Sequence, residues 1–262
     1  MPKISLLCAA YNAGPYIRET IESVLRQSFA DFEFLICDDG SSDETLQIIR
    51  SFDDARIQIF CDGENHGQNA RLHQMIQTAR GEYIGWVDAD DLLDERTLEL
   101  TNLVLDQYTD YGLVYTDHYE MAKEGKVTGI SRRSQVPFSK DNLLLHFMTF
   151  HFRLFRKACY DKIEPLDTNL CVASDYEISL KLAEITLFQH LPLPLYYYRI
   201  YPESLSQRNY TEQSEVALQL MRDAIKRRGL KVRVDLFYDN GRAKYKFIKG
   251  KNASTKPNFR NT

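Results

Sequence analysis

Apolar residues fall into short continuous runs separated by amphipathic stretches, and the two kinds alternate through the first third of the chain. Ile4 to Ala9 reads as a buried strand, after which Ile17, Ile21, Val24 and Leu25 recur at helical spacing. Phe32 to Cys37 predicts a second strand. It runs into Asp38-Asp39-Gly40-Ser41-Ser42-Asp43, a turn and helix-cap cluster, before a helix from Thr45 to Ile49. A third strand over Ile57 to Cys61, a helix from Ala70 to Ala79 stopped at Gly81, and a fourth strand over Tyr83 to Val87 continue the series. Such alternation predicts an α/β fold with a mostly parallel mixed sheet flanked by helices.

Beyond Val87 the alternation weakens. Glu95 to Leu105 reads as a helix, Leu113 to Tyr119 as a strand and Gly125 as a hairpin turn. From Ser139 the pattern predicts a helix, a short strand near Leu154 to Arg156 and a helix from Asp175 to Glu184. Two apolar stretches follow, Leu187 to Leu191 and Leu195 to Ile200. A long helix with a polar face, Glu212 to Arg228, closes the part expected to be ordered, and no internal repeat or low-complexity tract interrupts it.

With 262 residues, 44% of them hydrophobic and 27% charged, the chain can bury a full globular core, which excludes a disordered or fibrous protein. No run is long and apolar enough for a membrane span, and Met1-Pro2-Lys3 leads into a strand rather than a signal peptide, so a cytoplasmic protein is expected. The five cysteines Cys8, Cys37, Cys61, Cys159 and Cys171 show no CxxC spacing and predict buried free thiols rather than disulfides or a zinc cluster. Charge is unevenly spread. Residues 222 to 262 hold 13 Lys or Arg against 3 Asp or Glu, whereas the rest hold 20 against 34. Tyr245, Phe247 and Ile248 interleave with Lys244, Lys246, Lys249 and Lys251. That pattern suits peripheral contact with an anionic membrane surface, and no nucleic-acid partner is expected.

In open parallel sheets ligands bind beyond the carboxyl ends of the strands, where this chain places its unusual polar residues. Asp88, Asp90 and Asp91 lie within four positions after the fourth strand. Converging carboxylates repel one another unless a cation joins them, and hard oxygen ligands suit magnesium or manganese completed by substrate phosphates. The plain alternative is a helix cap by Asp91 or Asp94. Asp39 can accept from a ribose hydroxyl or a base N–H, or simply form an Asx turn; Tyr11 can stack on a base, or simply pack.

Taken together, Ile4-Ser-Leu-Leu-Cys-Ala-Ala-Tyr-Asn12, Phe34-Leu-Ile-Cys-Asp-Asp-Gly-Ser-Ser-Asp43, Asn65-His-Gly67, Gly81-Glu-Tyr-Ile84 and Asp88-Ala-Asp-Asp91 resemble the inverting glycosyltransferases of family 2 in order and spacing. The likeness continues through Phe155-Arg156, the stretch Asp175 to Ala183 and the stretch Tyr198 to Ser206. It implies a nucleotide-diphospho-sugar transferase fold of the GT-A type. It further implies that Ala9, Tyr11 and Asp39 line the nucleotide, that Asp88 and Asp90 form an Asp-x-Asp element with Asp90 holding manganese or magnesium, and that Asp175 is the general base. Arg199, near Tyr201 and Ser204, matches a segment that closes over the diphosphate or acceptor. The domain reading is a catalytic domain over 1–210, with a nucleotide-sugar half at 1–120 and an acceptor half at 121–210, then a basic helical segment over 211–262.

The chemistry is self-consistent. In an inverting transfer one positioned carboxylate takes the acceptor proton, the metal offsets charge on the departing nucleoside diphosphate, and no second nucleophilic carboxylate is required. Ser174-Asp175-Tyr176-Glu177 also has the form of a helix start, compatible with that role. Five positions depart from the family pattern: Ala9-Ala10 for Pro-Thr, Ser174 for an acidic residue, His73 for asparagine, and Arg71 one residue early. His151, in the region that forms the acceptor side in relatives, reads as a satisfied structural histidine or as a contact to an acceptor hydroxyl, and is assigned no role. The expected reaction is a single transfer in polysaccharide or lipopolysaccharide biosynthesis, to a glycan or lipid-linked acceptor at the inner face of the membrane. A pyrophosphorylase would need a glycine-rich basic loop that Tyr11-Asn12-Ala13-Gly14-Pro15 does not supply. The remaining rival is a catalytically silent binding module on the same fold.

Overall fold

The apolar runs become strands because both of their faces are covered. A computed structural model of the chain describes residues 1–170 and 172–249. Its first half follows the predicted order: β1 (Ile4–Ala10), α1 (Ile17–Leu25), β2 (Phe32–Asp38), α2 (Thr45–Arg50), β3 (Ile57–Cys61), α3 (Gln68–Thr78) and β4 (Tyr83–Trp86). Then come β5 (Leu92–Leu93), α4 (Thr97–Gln107), β6 (Tyr111–Ala122), β7 (Val127–Ile130), a 3-10 turn (Arg133–Gln135), α5 (Lys140–Leu145), β8 (Arg153–Arg156) and α6 (Lys157–Tyr160). The chain continues with α7 (Ser174–Ile185), β9 (Leu187–Ile200), α8 (Leu205–Arg208), α9 (Tyr210–Arg227), β10 (Val232–Asp239) and β11 (Arg242–Lys249).

One sheet has the order β3-β2-β1-β4-β8-β6-β9-β5, with β7 paired to β6. β1, β2, β3 and β4 run parallel, β8 runs against β4 and β6, and β6 pairs parallel with β9. Two apolar layers sandwich this sheet. Ile4, Leu6, Phe34 and Ile36 face α1 and α4, whereas Leu7, Leu35, Trp86 and Tyr115 face α3, α5, α7 and α9. Adjacent residues of one strand thus serve opposite layers, as the two-residue strand period requires. Cys8 and Cys37 are buried free thiols, as expected, and Cys171 lies outside the described residues.

Three features differ from the sequence reading. The two apolar stretches after Thr186 form one strand: pairing jumps from Thr116–Leu191 to Asp117–Pro194, so Pro192 and Leu193 are looped out without ending β9. Asp91 caps no helix; before α4 the Asp94 carbonyl accepts from the Thr97 N–H and hydroxyl instead. Among the described residues the basic end is not helical beyond α9, and positions 250–262 of the expected helical segment lie outside them. β10 and β11 form an antiparallel hairpin because apolar residues there alternate with period two: Val234, Tyr245 and Phe247 join the core packed on α9. Ile248 and Phe237 lie on the opposite face, with Arg233, Lys244 and Lys246. No helix among the described residues is long and apolar enough to cross a membrane.

Candidate functional site

Parallel pairing sets the carboxyl ends of β1, β2 and β4 on one edge, so the loops carrying Tyr11, Asp39 and Asp88 emerge side by side. Because β8 is antiparallel to β4, its amino end falls on that same edge and brings His151 and Arg153 there. β6 and β9 share the parallel direction, which delivers Arg199 and Tyr201. Topology therefore gathers residues from the whole chain.

Beyond β1, Ala9 is partly open and Tyr11 is 54% exposed, with no hydrogen-bond or ring partner among the described residues. The Asp39 carboxylate is buried and accepts from the His66 and Gly67 N–H groups at 2.8 and 2.9 Å and from Arg71 Nε at 2.7 Å. It braces the 65–67 loop from below. Arg71 also reaches Asp62 and the Glu64 carbonyl, so this helix contributes to the wall through Arg71, while His73 is left with a buried Nδ1 that has no partner. Gly40 turns the chain at a φ of 73°, and a side chain there would meet the Glu64 backbone at 2.7 Å.

The acidic loop follows β4. Asp88 and Asp90 keep partial solvent access, whereas Asp91 is fully buried. Asp91 accepts from the Tyr196 hydroxyl and the Arg199 N–H at 2.7 Å each, while Asp90 accepts from the Tyr201 hydroxyl at 2.8 Å. Asp88 Oδ2 faces His151 Nε2 at 3.5 Å. Asp88, Asp91 and His151 each offer a ligand atom, all within 4.8 Å of one another. Burial and the neighbouring charges of Asp90 and Asp175 push the Asp88 carboxyl up to about 7, and burial followed by Asp90 and Asp88 raises Asp91 well above its usual range. Burial also raises Asp90, against the hydroxyl of Tyr201 and the charge of Arg199. A divalent cation suits this donor set, since it would offset the repulsion and meet hard oxygens and an imidazole.

Arg199 is spent within the protein. Its Nε, Nη1 and Nη2 donate to the carbonyls of Asp90 and Lys123 and to Glu19, at 2.7, 2.7 and 2.8 Å, and its guanidinium stacks over Tyr16. In this conformation it braces the acidic loop rather than presenting free donors to a diphosphate.

Asp175 stands in the first turn of α7, where Ala173 is the capping residue and no side chain caps the helix. Its Oδ1 accepts from the N–H of Tyr176 at 2.8 Å, while Glu177 holds the preceding loop through the Asp167 N–H at 3.0 Å. Burial raises the Asp175 carboxyl, opposed first by the charge of Arg153. Sequence reasoning missed Arg153. It is buried, its Nη1 lies 3.9 Å from Asp175, its charge also acts on Asp88, and its guanidinium stacks over Trp86 at 5.0 Å. The only signal was a cation beginning a short apolar strand. His151 is stacked on Tyr196 at 4.5 Å, and its Nδ1 has no partner.

Residues 5–164 match the model of Glycosyl transferase family 2. The chain belongs to this family. It is 31% identical over 237 residues to chondroitin synthase of Escherichia coli, an alignment covering 88% of this chain and 34% of that protein. The chain thus spans about a third or less of the length of the curated relatives it matches first. Its fold is that of S. aureus TarS 1–349, solved with UDP-GlcNAc: TM-score 0.69, 20% identity, 85% of this chain and 66% of that one. It is also that of the mannosyltransferase PcManGT of Pyrobaculum calidifontis, solved with GDP-Man and Mn2+: TM-score 0.66, 17% identity, 86% and 64% covered. The GT-A type architecture expected from the motifs is therefore present.

Proposed function

We propose that this glycosyltransferase moves one sugar from a nucleoside-diphosphate donor to an acceptor hydroxyl with inversion, dependent on manganese or magnesium. The observation that carries this reading is the buried Arg153, whose charge is shared between Asp88 of the acidic loop and Asp175 of α7. Donor-side and acceptor-side carboxylates thereby address one space.

Tyr11 and Ala9 would line the base, with Asp39 bracing the loop behind it. Asp90 and Asp88, the two acidic residues with solvent access, would hold the metal beside His151, leaving Asp91 as the tie to β9. When bound, the metal supplies Lewis acidity to the leaving diphosphate. Asp175 accepts the proton of the attacking hydroxyl, and its raised proton affinity suits a base. The carboxylate of Asp175 is held near its place by the N–H of Tyr176, and the charge of Arg153 opposes the burial that raises its proton affinity.

Relatives named chondroitin synthase and hyaluronan synthase support a role in polysaccharide assembly, and the acceptor of this reading is a glycan or lipid-linked chain at the inner face of the membrane. The outer face of the β10–β11 hairpin, where Arg233, Lys244, Lys246 and Arg242 outnumber Asp235 and Asp239 beside Phe237 and Ile248, would rest on anionic lipid. Sedimentation with anionic liposomes should fall in the double variant Arg233→Glu, Lys246→Glu, and unchanged sedimentation would remove this part.

The central test is binding and hydrolysis of UDP-, GDP- and dTDP-sugars with manganese in the natural protein, Asp90→Ala and Asp175→Asn. The expected result is metal-dependent binding lost in Asp90→Ala, and turnover but not binding lost in Asp175→Asn. No binding of any donor would make a silent binding module the better reading.

A further inference from the structure

The 3-10 turn carries a guanidinium that the fold itself does not use. Arg133 is exposed, and among the described residues its side chain makes no hydrogen bond or ion pair. Its head nevertheless has a defined seat, with the guanidinium carbon 4.3 Å from the centroid of the Phe150 ring. Phe150 in turn meets His151 and Tyr198 edge-on, at 4.3 and 4.9 Å between centroids.

The backbone beneath it is anchored. The buried Ser134 hydroxyl donates to Asp117 Oδ1 at 2.5 Å, the same oxygen lies 2.8 Å from His190 Nε2, and the Ser131 N–H donates to the His118 carbonyl at 3.0 Å. An arginine on a mobile surface loop loses rotamer freedom when it binds anything. One seated on an aromatic ring over a pinned turn has already lost much of it.

Its seat borders the site, since Phe150 meets His151 and His151 Nε2 lies 3.5 Å from Asp88 Oδ2. The Arg133 charge adds to that of Arg153 in opposing the burial-raised proton affinity of Asp175, and it acts on the buried His118 and His151 as well. Asp90, by contrast, feels the charge of Arg199. A planar, permanently charged fork with no carboxylate of its own is suited to a carboxylate or a phosphate, which it can engage through two parallel N–H bonds.

We propose that Arg133 reads an anionic group, a carboxylate or a phosphate, on the acceptor bound against Asp175. The inference rests on Asp175 facing the acceptor, as argued above, and it narrows the acceptor to an acidic class. A uronate sugar and a phosphate-bearing chain offer the same chemistry to this residue, so the test separates them.

The full chain with UDP and diamagnetic magnesium is titrated, by NMR line broadening, with methyl β-D-glucuronide, glycerol 3-phosphate and neutral methyl β-D-glucoside. One or both charged probes should bind about tenfold more tightly than the neutral one, as expected for a charge-assisted pair. The charged probe that binds more tightly identifies carboxylate or phosphate as the group read. Arg133→Gln should erase the preference, and Arg133→Lys should keep part of it because charge survives while the fork does not. Equal affinity for all probes, no binding of any probe, or a preference unchanged in Arg133→Gln would overturn the proposal. UDP binding in the same samples is read separately; its absence would overturn the glycosyltransferase reading beneath, and its presence alongside a missing preference would overturn only the role of Arg133.

Discussion

Arg153 shows how much one buried cation can organise. It stands near Asp175, acts on Asp88, and donates from Nη1 to the Thr149 carbonyl at 2.7 Å. Burial drives Asp175 toward its protonated form and Arg153 is the first influence against that. Replacing it with glutamine removes the opposing charge, so Asp175 takes up its proton at a higher pH. In the role proposed for it Asp175 acts when ionised; the acid limb of kcat against pH should therefore move to higher pH, with kcat near neutrality lowered about tenfold or more, as for loss of a general base in part. Arg153→Lys should restore most of the limb. Stability will fall too, since removing one partner from buried charges is destabilising, but a purely structural defect would leave the midpoint of the pH profile in place. If the limb stays where it was, Arg153 does not set the ionisation of Asp175.

At the scale of elements, the hairpin that replaced an expected helix is the clearest lesson. Its sequence carries strong basic character, and charge drew attention away from the alternation of Val232, Val234 and Leu236 against Tyr245 and Phe247. Val234 is 1% exposed and sits in the core shared with Leu220, Met221 and Ile225 of α9. Val234→Ala should cost about 1.5–2 kcal/mol, the transfer energy of two lost methylene equivalents, measured as a shift of the urea midpoint with unchanged slope. A negligible shift would mean the hairpin packs too loosely to belong to that core. The other elements were legible because their signals are local. Continuous apolar runs marked the parallel strands, and the Asp-Asp-Gly-Ser stretch marked a turn whose glycine is obligatory on steric grounds. The two-residue strand β5 and the bulged passage through Pro192 to Pro194 had no local signal, since both exist only by pairing with distant partners.

Over the whole molecule, the same division holds for the site. Asp39, Asp88 and Asp90 were readable because they end strands whose parallel order follows from the alternation. That Asp91 would be tied to β9, that Arg199 would be consumed by Glu19 and two carbonyls, and that Arg153 would stand by Asp175 depend on β8 running against its neighbours. Local pattern does not encode that inversion. The basic character of residues 222 to 262 likewise told of charge but not of shape.

Thr20 and Gln68 bond the acidic loop from early in the chain, but the bonds that tie Asp90 and Asp91 to Tyr196, Arg199 and Tyr201 cross 105 to 111 positions of sequence. On a ribosome, Asp88, Asp90 and Asp91 emerge long before the strand that satisfies them. A nascent chain that has reached only α7 has its early strands available but none of these β9 partners, so the site is among the last features to mature. Fragment 1–186 should therefore show no manganese-dependent rise in Tm, whereas the full chain should show one; a fragment that still responds to manganese would mean the loop assembles without β9.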